Sequence, residues 1–228
     1  TVKVSSPETA EATKLMENIF RAVNIAMVNE LKLIFERMDI NIWEVIKAAN
    51  SKPFGFMPFY PGPGMGGHCI PIDPFYLSWK AKEFNTEAKF IELAGEVNRK
   101  MTENVAHRIG KALNDHSKSI RKSNILMLGL AYKKDIDDMR ESPALKIAEL
   151  LRFKGANISY HDPYINDAKE LEFVELNKES LRKADAVVIT TDHSNVDYEM
   201  VGKYARLIID TRNVMAGVKN PKADVLRA

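Results

Sequence analysis

Residues Tyr60-Pro-Gly-Pro-Gly-Met-Gly-Gly-His-Cys-Ile-Pro-Ile-Asp-Pro74 place four glycines and four prolines in fifteen positions. No regular helix or central strand can cross such a stretch, because Gly frees backbone angles while Pro locks them and removes a donor. The stretch is therefore a rigid, open loop between regular elements. The loop leaves main-chain N–H groups open to a ligand, and near its end stands Cys69, the one cysteine of the sequence. A lone cysteine is commonly a small buried hydrophobe. Here it lies outside any apolar periodic run, beside His68 and Asp73, which makes it a candidate nucleophile. It would react as the thiolate and so needs surroundings that favour one.

On either side of the loop the pattern is helical. Ser6-Pro7-Glu8 reads as N-cap, Pro at the first helical position and an acid in the first turn. From there to about Met38 no Gly or Pro intervenes, and Leu15, Ile19, Ala22, Val23, Ala26, Met27, Leu31 and Ile34 recur at helical spacing. This predicts a helix of roughly thirty residues, about 45 Å long. A short helix is expected from Asn41, with Glu44 completing a capping box, and another around Phe75–Glu83. A second long helix is expected over Thr86–Asn114, with Phe90, Leu93, Ala94, Val97, Met101, Val105, Ile109 and Leu113 as its buried stripe. Two such helices have too little chain around them to cover both. Packing across a dimer interface and packing against a further domain are both open.

The pattern changes near His116–Ser119. Ser123–Leu130 reads as a buried strand, Ser142-Pro143 caps a helix ending at Gly155, and strands come next at Ala156–Tyr160, Ala184–Thr190 and Leu207–Asp210. Alternation of this kind means a parallel doubly wound sheet, whose ligands sit beyond the carboxyl ends of the strands. The polar residues there are Tyr132–Asp135, His161-Asp162, Thr191-Asp192-His193 and Thr211-Arg212. The expected fold is α then α/β: a long-helix dimerisation domain over residues 1–118 and a Rossmann-like parallel-sheet domain over 119–228.

Composition excludes several classes. Among 228 residues, 33 basic against 31 acidic side chains carry no signature of nucleic-acid or membrane binding. No apolar run approaches the ~18 residues of a spanning helix, and the polar start does not read as a signal peptide. One cysteine precludes an internal disulfide framework and suits a reducing cytoplasm. The first residue is not Met, so a longer protein is expected.

Gly62–Gly67 formally fits G-x-G-x-x-G, but no strand precedes it and His-Cys-Ile-Pro stands where a helix should begin. The first turn of the sheet offers only Gly129, so no orthodox dinucleotide site is encoded. The five histidines are scattered without ligand spacing, and no metal is expected. His68 adjoins Cys69, and neighbours in an extended loop point apart, which argues against a peptidase pair. Lys14 and Asn18 share a helix face. They are either a solvated pair or a cation and amide donor for the cysteine loop. Lys133, Lys134 and Arg140 are either surface charges or an anion site.

The loop itself resembles the catalytic-cysteine segment of the UDP-glucose/GDP-mannose dehydrogenase family. Ala12-Thr-Lys14-Leu-Met-Glu-Asn18 is similar to its helix signature. Gly129-Leu-Ala-Tyr-Lys133 with Asp137-Asp-Met-Arg140-Glu-Ser-Pro resembles the start of its UDP-binding domain. Lys52–Tyr60 looks most like the bacterial branch acting on UDP-N-acetylhexosamines, with UDP-N-acetylglucosamine the expected substrate and UDP-N-acetylmannosamine or UDP-glucose the alternatives. The family's N-terminal NAD-binding domain has no counterpart in these residues.

The resemblance implies oxidation of a sugar C6 hydroxyl to a carboxylate with two NAD+, for surface-polysaccharide precursors. Cys69 would capture the aldehyde as a thiohemiacetal and pass through a thioester that water cleaves. It further implies that Lys14 and Asn18 stabilise oxyanions and position water, and that Asp73 orients the water. Tyr60, Gly62, Gly64, Met65 and Gly66 would present backbone to the substrate, Lys133 and Arg212 would hold its UDP, and Arg140 would reach NAD. A homodimer through the long helices is expected. A binding and dimerisation module without chemistry is the alternative. Lys52 is the nearest basic residue where some relatives place an arginine that reaches a neighbouring subunit, so that contact stays open.

Overall fold

The computed structural model describes residues 1–228. The contacts divide the chain into two compact units, residues 1–61 with 68–99 and residues 62–67 with 100–228. That division falls inside a helix, whereas the change in composition lies at 118/119.

The first unit is helical. α1 (Pro7–Arg37) begins as the sequence predicts, with the Ser6 side chain accepting from the Thr9 N–H. α2 (Ile42–Ala49) is capped by Asn41, but its side chain accepts from the Trp43 N–H, so the expected box with Glu44 is not the cap that forms. α3 (Asp73–Glu83) starts two residues earlier than expected, because Asp73-Pro74 supplies an acid and a proline for its first turn. α4 (Lys89–Asp115) starts three residues later than expected.

The predicted stripes need correction in this unit. The buried face of α1 is lined by Asn18, Ala22, Ala26, Val28, Asn29 and Lys32. Met16, Phe20, Met27 and Ile34 are exposed, Met16 at 73 %. At 100° per residue these four fall within about 40° of one another, opposite the buried face. Phe90 and Leu93 of α4 are exposed as well. What holds α1 to α4 in this unit is polar: the fully buried Asn29 donates its Nδ2 to Asn98 Oδ1 at 2.9 Å, and Asn98 Nδ2 donates to the Ala22 carbonyl. Ser78 of α3 donates to Glu92 of α4 at 2.6 Å.

The second unit is a six-stranded parallel sheet: β1 (Asn124–Leu128), β2 (Asn157–His161), β3 (Glu172–Phe173), β4 (Ala186–Ile189), β5 (Leu207–Asp210) and β6 (Asp224–Arg227). Its order is β3-β2-β1-β4-β5-β6, the doubly wound order whose direction switches between β1 and β4. Alternate residues of β1 feed opposite faces. Ile125 and Met127 pack with Val105, Ile109 and Leu113 of α4 and with Ile147 and Leu151 of α5 (Pro143–Phe153). Leu126 and Leu128 pack with Leu181 of α6 (Lys178–Lys183) and Val201 of α7 (Tyr198–Tyr204). Burial on both faces is why β1, β4 and β5 read as unbroken apolar runs. α5 carries the expected Ser142 cap and ends before Gly155, whose φ of +88° suits a helix-terminating glycine.

Candidate functional site

The first unit holds the cysteine. Cys69 is exposed, and its carbonyl accepts from the N–H groups of Ile72 and Asp73, so its own backbone closes the turn that starts α3. Because this is a turn and not an extended loop, His68 and Cys69 do not point apart. His68 Nδ1 lies 3.7 Å from Cys69 Sγ.

Asp73 is brought to α1, where the buried Asn18 donates Nδ2 to Asp73 Oδ2 at 2.9 Å. Lys14 is four residues, about one turn, from Asn18, yet its ammonium is exposed and paired with Glu17 at 3.1 Å. Tyr60 stacks on Trp43, ring centroids 5.7 Å apart and 13° from parallel. Sequence reasoning passes over Trp43, although an aromatic in the helix just before an aromatic-rich loop is a usable signal.

The glycine turn belongs to the second unit. Gly64 and Gly67 take φ of +139° and +99°, outside the range of most side chains. A Cβ on Gly62 would stand 2.7 Å from Arg212 Nη1. One on Gly66 would stand 2.8 Å from both the Glu141 carbonyl and Tyr132 Cβ, and one on Gly67 would meet the Tyr132 ring at 2.9 Å. Gly67 also donates its N–H to the Arg140 carbonyl. The glycines thus let the loop backbone lie directly against Arg212 and the Tyr132–Pro143 segment. Met65 is half-buried between them, while Lys133 is exposed.

Arg212 comes directly after β5. Asp210 accepts from the Arg212 and Met215 N–H groups and fixes the turn, and Arg212 Nε donates to the Thr190 carbonyl at 3.0 Å. Burial lowers the guanidinium's pKa from its ordinary value, and the nearby carboxylates of Asp192 and Asp210 offset that. Arg140 folds back on Asp138, its Nε and Nη2 reaching the carboxylate at 3.0 and 2.7 Å.

Behind these residues lies a buried network that the sequence shows only as polar strand ends. Asp162, after β2, accepts at Oδ2 from the N–H groups of Leu130 and Ala131 (2.7 and 3.1 Å) and at Oδ1 from those of Tyr164 and Ile165. His193, after β4, meets Asp162 Oδ2 with Nε2 at 3.1 Å, while its Nδ1 accepts from the Asp135 N–H. Nε2 therefore carries the hydrogen. Burial alone would raise the Asp162 carboxyl, but the bonds from His193 and from the backbone of Tyr164, Ala131 and Leu130 together hold it down to about 2. No group of acids, histidines and cysteine has the arrangement to hold a metal ion, and no helix is long and apolar enough to cross a membrane.

Residues 8–100 match the family model for the UDP-glucose/GDP-mannose dehydrogenase family, central domain, and residues 126–217 match that for the same family's UDP binding domain. A UDP-N-acetyl-D-mannosamine dehydrogenase of Pyrococcus horikoshii is 39% identical over 218 residues, 93% of this chain and 50% of the relative. An NDP-N-acetyl-D-galactosaminuronic acid dehydrogenase of Ralstonia solanacearum is 38% identical, over 92% of this chain and 49% of its own length. The solved structure of the UDP-D-ManNAc dehydrogenase from Pyrococcus horikoshii aligns with a TM-score of 0.83 at 36% identity, over 95% of this chain and 51% of that one. The chain spans about half the length of the curated relatives it matches.

Proposed function

The chain belongs to the UDP-glucose/GDP-mannose dehydrogenase family, and from that premise we propose that it carries the thiol and the nucleotide-sugar contacts of an enzyme that oxidises C6 of a UDP-N-acetylhexosamine to a carboxylate. The names of the relatives favour N-acetylmannosamine over the N-acetylglucosamine expected from the Lys52–Tyr60 segment.

The observation that carries this reading is one stretch of chain. Gly62–Gly67 lies against Arg212 and Tyr132, and the exposed thiol of Cys69 comes two residues after Gly67. In this reading Lys133 and Arg212 hold the diphosphate as a point charge and a planar fork. Gly62, Gly64, Met65 and Gly66 offer main chain to the sugar, and Tyr60, braced by Trp43, supplies an aromatic face.

The Cys69 thiolate adds to the C6 aldehyde carbon, forming a C–S bond and an alkoxide. The sulfur stays bonded while that carbon is oxidised to the thioester level. Water then adds, the C–S bond breaks, and the carboxylate leaves with the thiolate regenerated. Asn18, held on Asp73, and Lys14 would stabilise the oxyanions, and Asp73 would orient the water. NAD+ would supply the hydride acceptor. The sheet of the second unit does not fit NAD, because the N–H groups of its β1 turn are engaged by Asp162. Arg140 is assigned to a cofactor held by residues outside this sequence.

The exposed stripe Met16–Phe20–Met27–Ile34 is assigned to a homodimer partner, and the single cysteine to a reducing cytoplasm. Alkylation of Cys69 by iodoacetamide, followed across pH, tests the reading. UDP-N-acetylmannosamine is expected to slow modification at least tenfold, and UDP alone less. Equal rates with and without ligand would leave a binding and dimerisation module instead.

A further inference from the structure

In a doubly wound sheet the turn after β1 is where main-chain N–H groups meet a phosphate. Here those at the start of the turn are already satisfied. Gly129 donates to the His161 carbonyl, Leu130 and Ala131 donate to Asp162, Tyr132 donates to the Asp138 carbonyl, and Asp135 donates to His193. On the acceptor side, Thr190 and Thr191 donate their hydroxyls to the carbonyls of Gly129 and Ala131. Asp135 in turn takes both the N–H and the hydroxyl of Ser194, each at 2.7 Å. Asp162 is 2 % exposed and His193 0 %.

We propose that Asp162 is an internal anion standing where a dinucleotide phosphate would sit, and that, with His193, it is a positioning group for nucleotide-sugar binding. The same atoms have two consequences. A phosphate brought to the Leu130 and Ala131 N–H groups would meet the Asp162 carboxylate already bonded to them, so the anion-binding charges of this unit are moved outward to Lys133 and Arg212. And the turn is tied down at Gly129, Leu130, Ala131, Tyr132 and Asp135, so Tyr132 is held close to the Gly66 and Gly67 backbone with the exposed Lys133 next to it in sequence. Loosening Asp162 would free Tyr132 to move from that backbone and would carry Lys133 with it.

This proposal rests on the nucleotide-sugar reading, and UDP binding to the full chain separates the two. Asp162→Asn is expected to weaken UDP at least tenfold with the fold retained. Lys133→Ala should also weaken it, and the double variant should be no weaker than Lys133→Ala alone, because Asp162 acts through the segment bearing Lys133. His193→Gln, which can still donate to Asp162, should recover most of the affinity that His193→Leu loses. If Asp162→Asn proves not to fold, that histidine pair carries the test.

Wild-type affinity in Asp162→Asn, full additivity with Lys133→Ala, or equal loss in both histidine variants would overturn the assignment. If the wild-type chain fails to bind UDP, the nucleotide-sugar reading falls. The Asp162 network is then judged by hydrogen exchange, where the Leu130 and Ala131 amides must lose protection in Asp162→Asn.

Discussion

In the helical unit, Asn18, Asn29 and Asn98 are buried while Met16, Phe20, Met27 and Phe90 face outward. In the sheet unit the ordinary distribution holds: Ile125 to Leu128 are enclosed on both faces, and the buried polar groups of Asp162 and His193 are all hydrogen-bonded. The same chain thus contains one part that buries its apolar strands on both faces and one that leaves an apolar helix stripe exposed. Exposed apolar side chains in a regular stripe are an interface signature, whereas the sheet unit has the composition of a self-sufficient core.

The contrast is tested most severely at α4, which contributes residues to both units. Leu113→Ala, at a fully buried position of the sheet unit, should cost roughly 2–5 kcal/mol in urea unfolding. A smaller effect should come from acid. The Asp162 carboxyl is lower in the folded chain, about 2, than the ~3.9 of an unfolded chain. Its stabilising contribution is therefore complete above about pH 5 and is lost as pH falls through about 2, gone by about pH 1 and about 2.5 kcal/mol in all. Asp210, which burial pushes up, acts in the opposite direction. The clean reading is the difference between wild type and Asp162→Asn, which should vanish by about pH 1; a difference that persists there would assign the loss to packing.

Asn29→Ala probes the helical unit directly. It should cost about 1–3 kcal/mol by removing the buried donor to Asn98 Oδ1, and a null result would mean the buried asparagines are incidental. Met16→Ala should change the unfolding of the separated protomer by no more than about 0.5 kcal/mol, its cost falling on dimerisation. Met27→Asp, on the same stripe, should shift sedimentation toward monomer. A monomeric wild type would overturn the interface assignment.

Much of this is legible in the sequence, for reasons that differ between the units. The sheet is readable because β1, β4 and β5 are buried on both sides and therefore continuous in sequence. β3 has only two residues, and β6, at the sheet edge, has exposed ends and no continuous apolar run to detect. The long helices are readable by length, but periodicity alone cannot say which face a helix buries within its own chain. It therefore puts Met27, Ile34, Phe90 and Leu93 on the wrong side. The cysteine, Asp73 and the glycine turn stand out by residue type. The Asn18–Asp73 bond and the Asp162–His193 pair do not, since they join residues 55 and 31 positions apart through tertiary folding.

The solitary, outward thiol has a chemical consequence of its own. Peroxide would take Cys69 first to a sulfenic acid, and this sequence holds no second cysteine to trap that species as an intramolecular disulfide. The lesion can then be reversed only by an outside thiol, or it proceeds irreversibly to the sulfinic acid. Oxidative damage to this chain would thus remove the thiol, and the His68 contact made by its sulfur, while leaving the backbone hydrogen bonds of its turn in place.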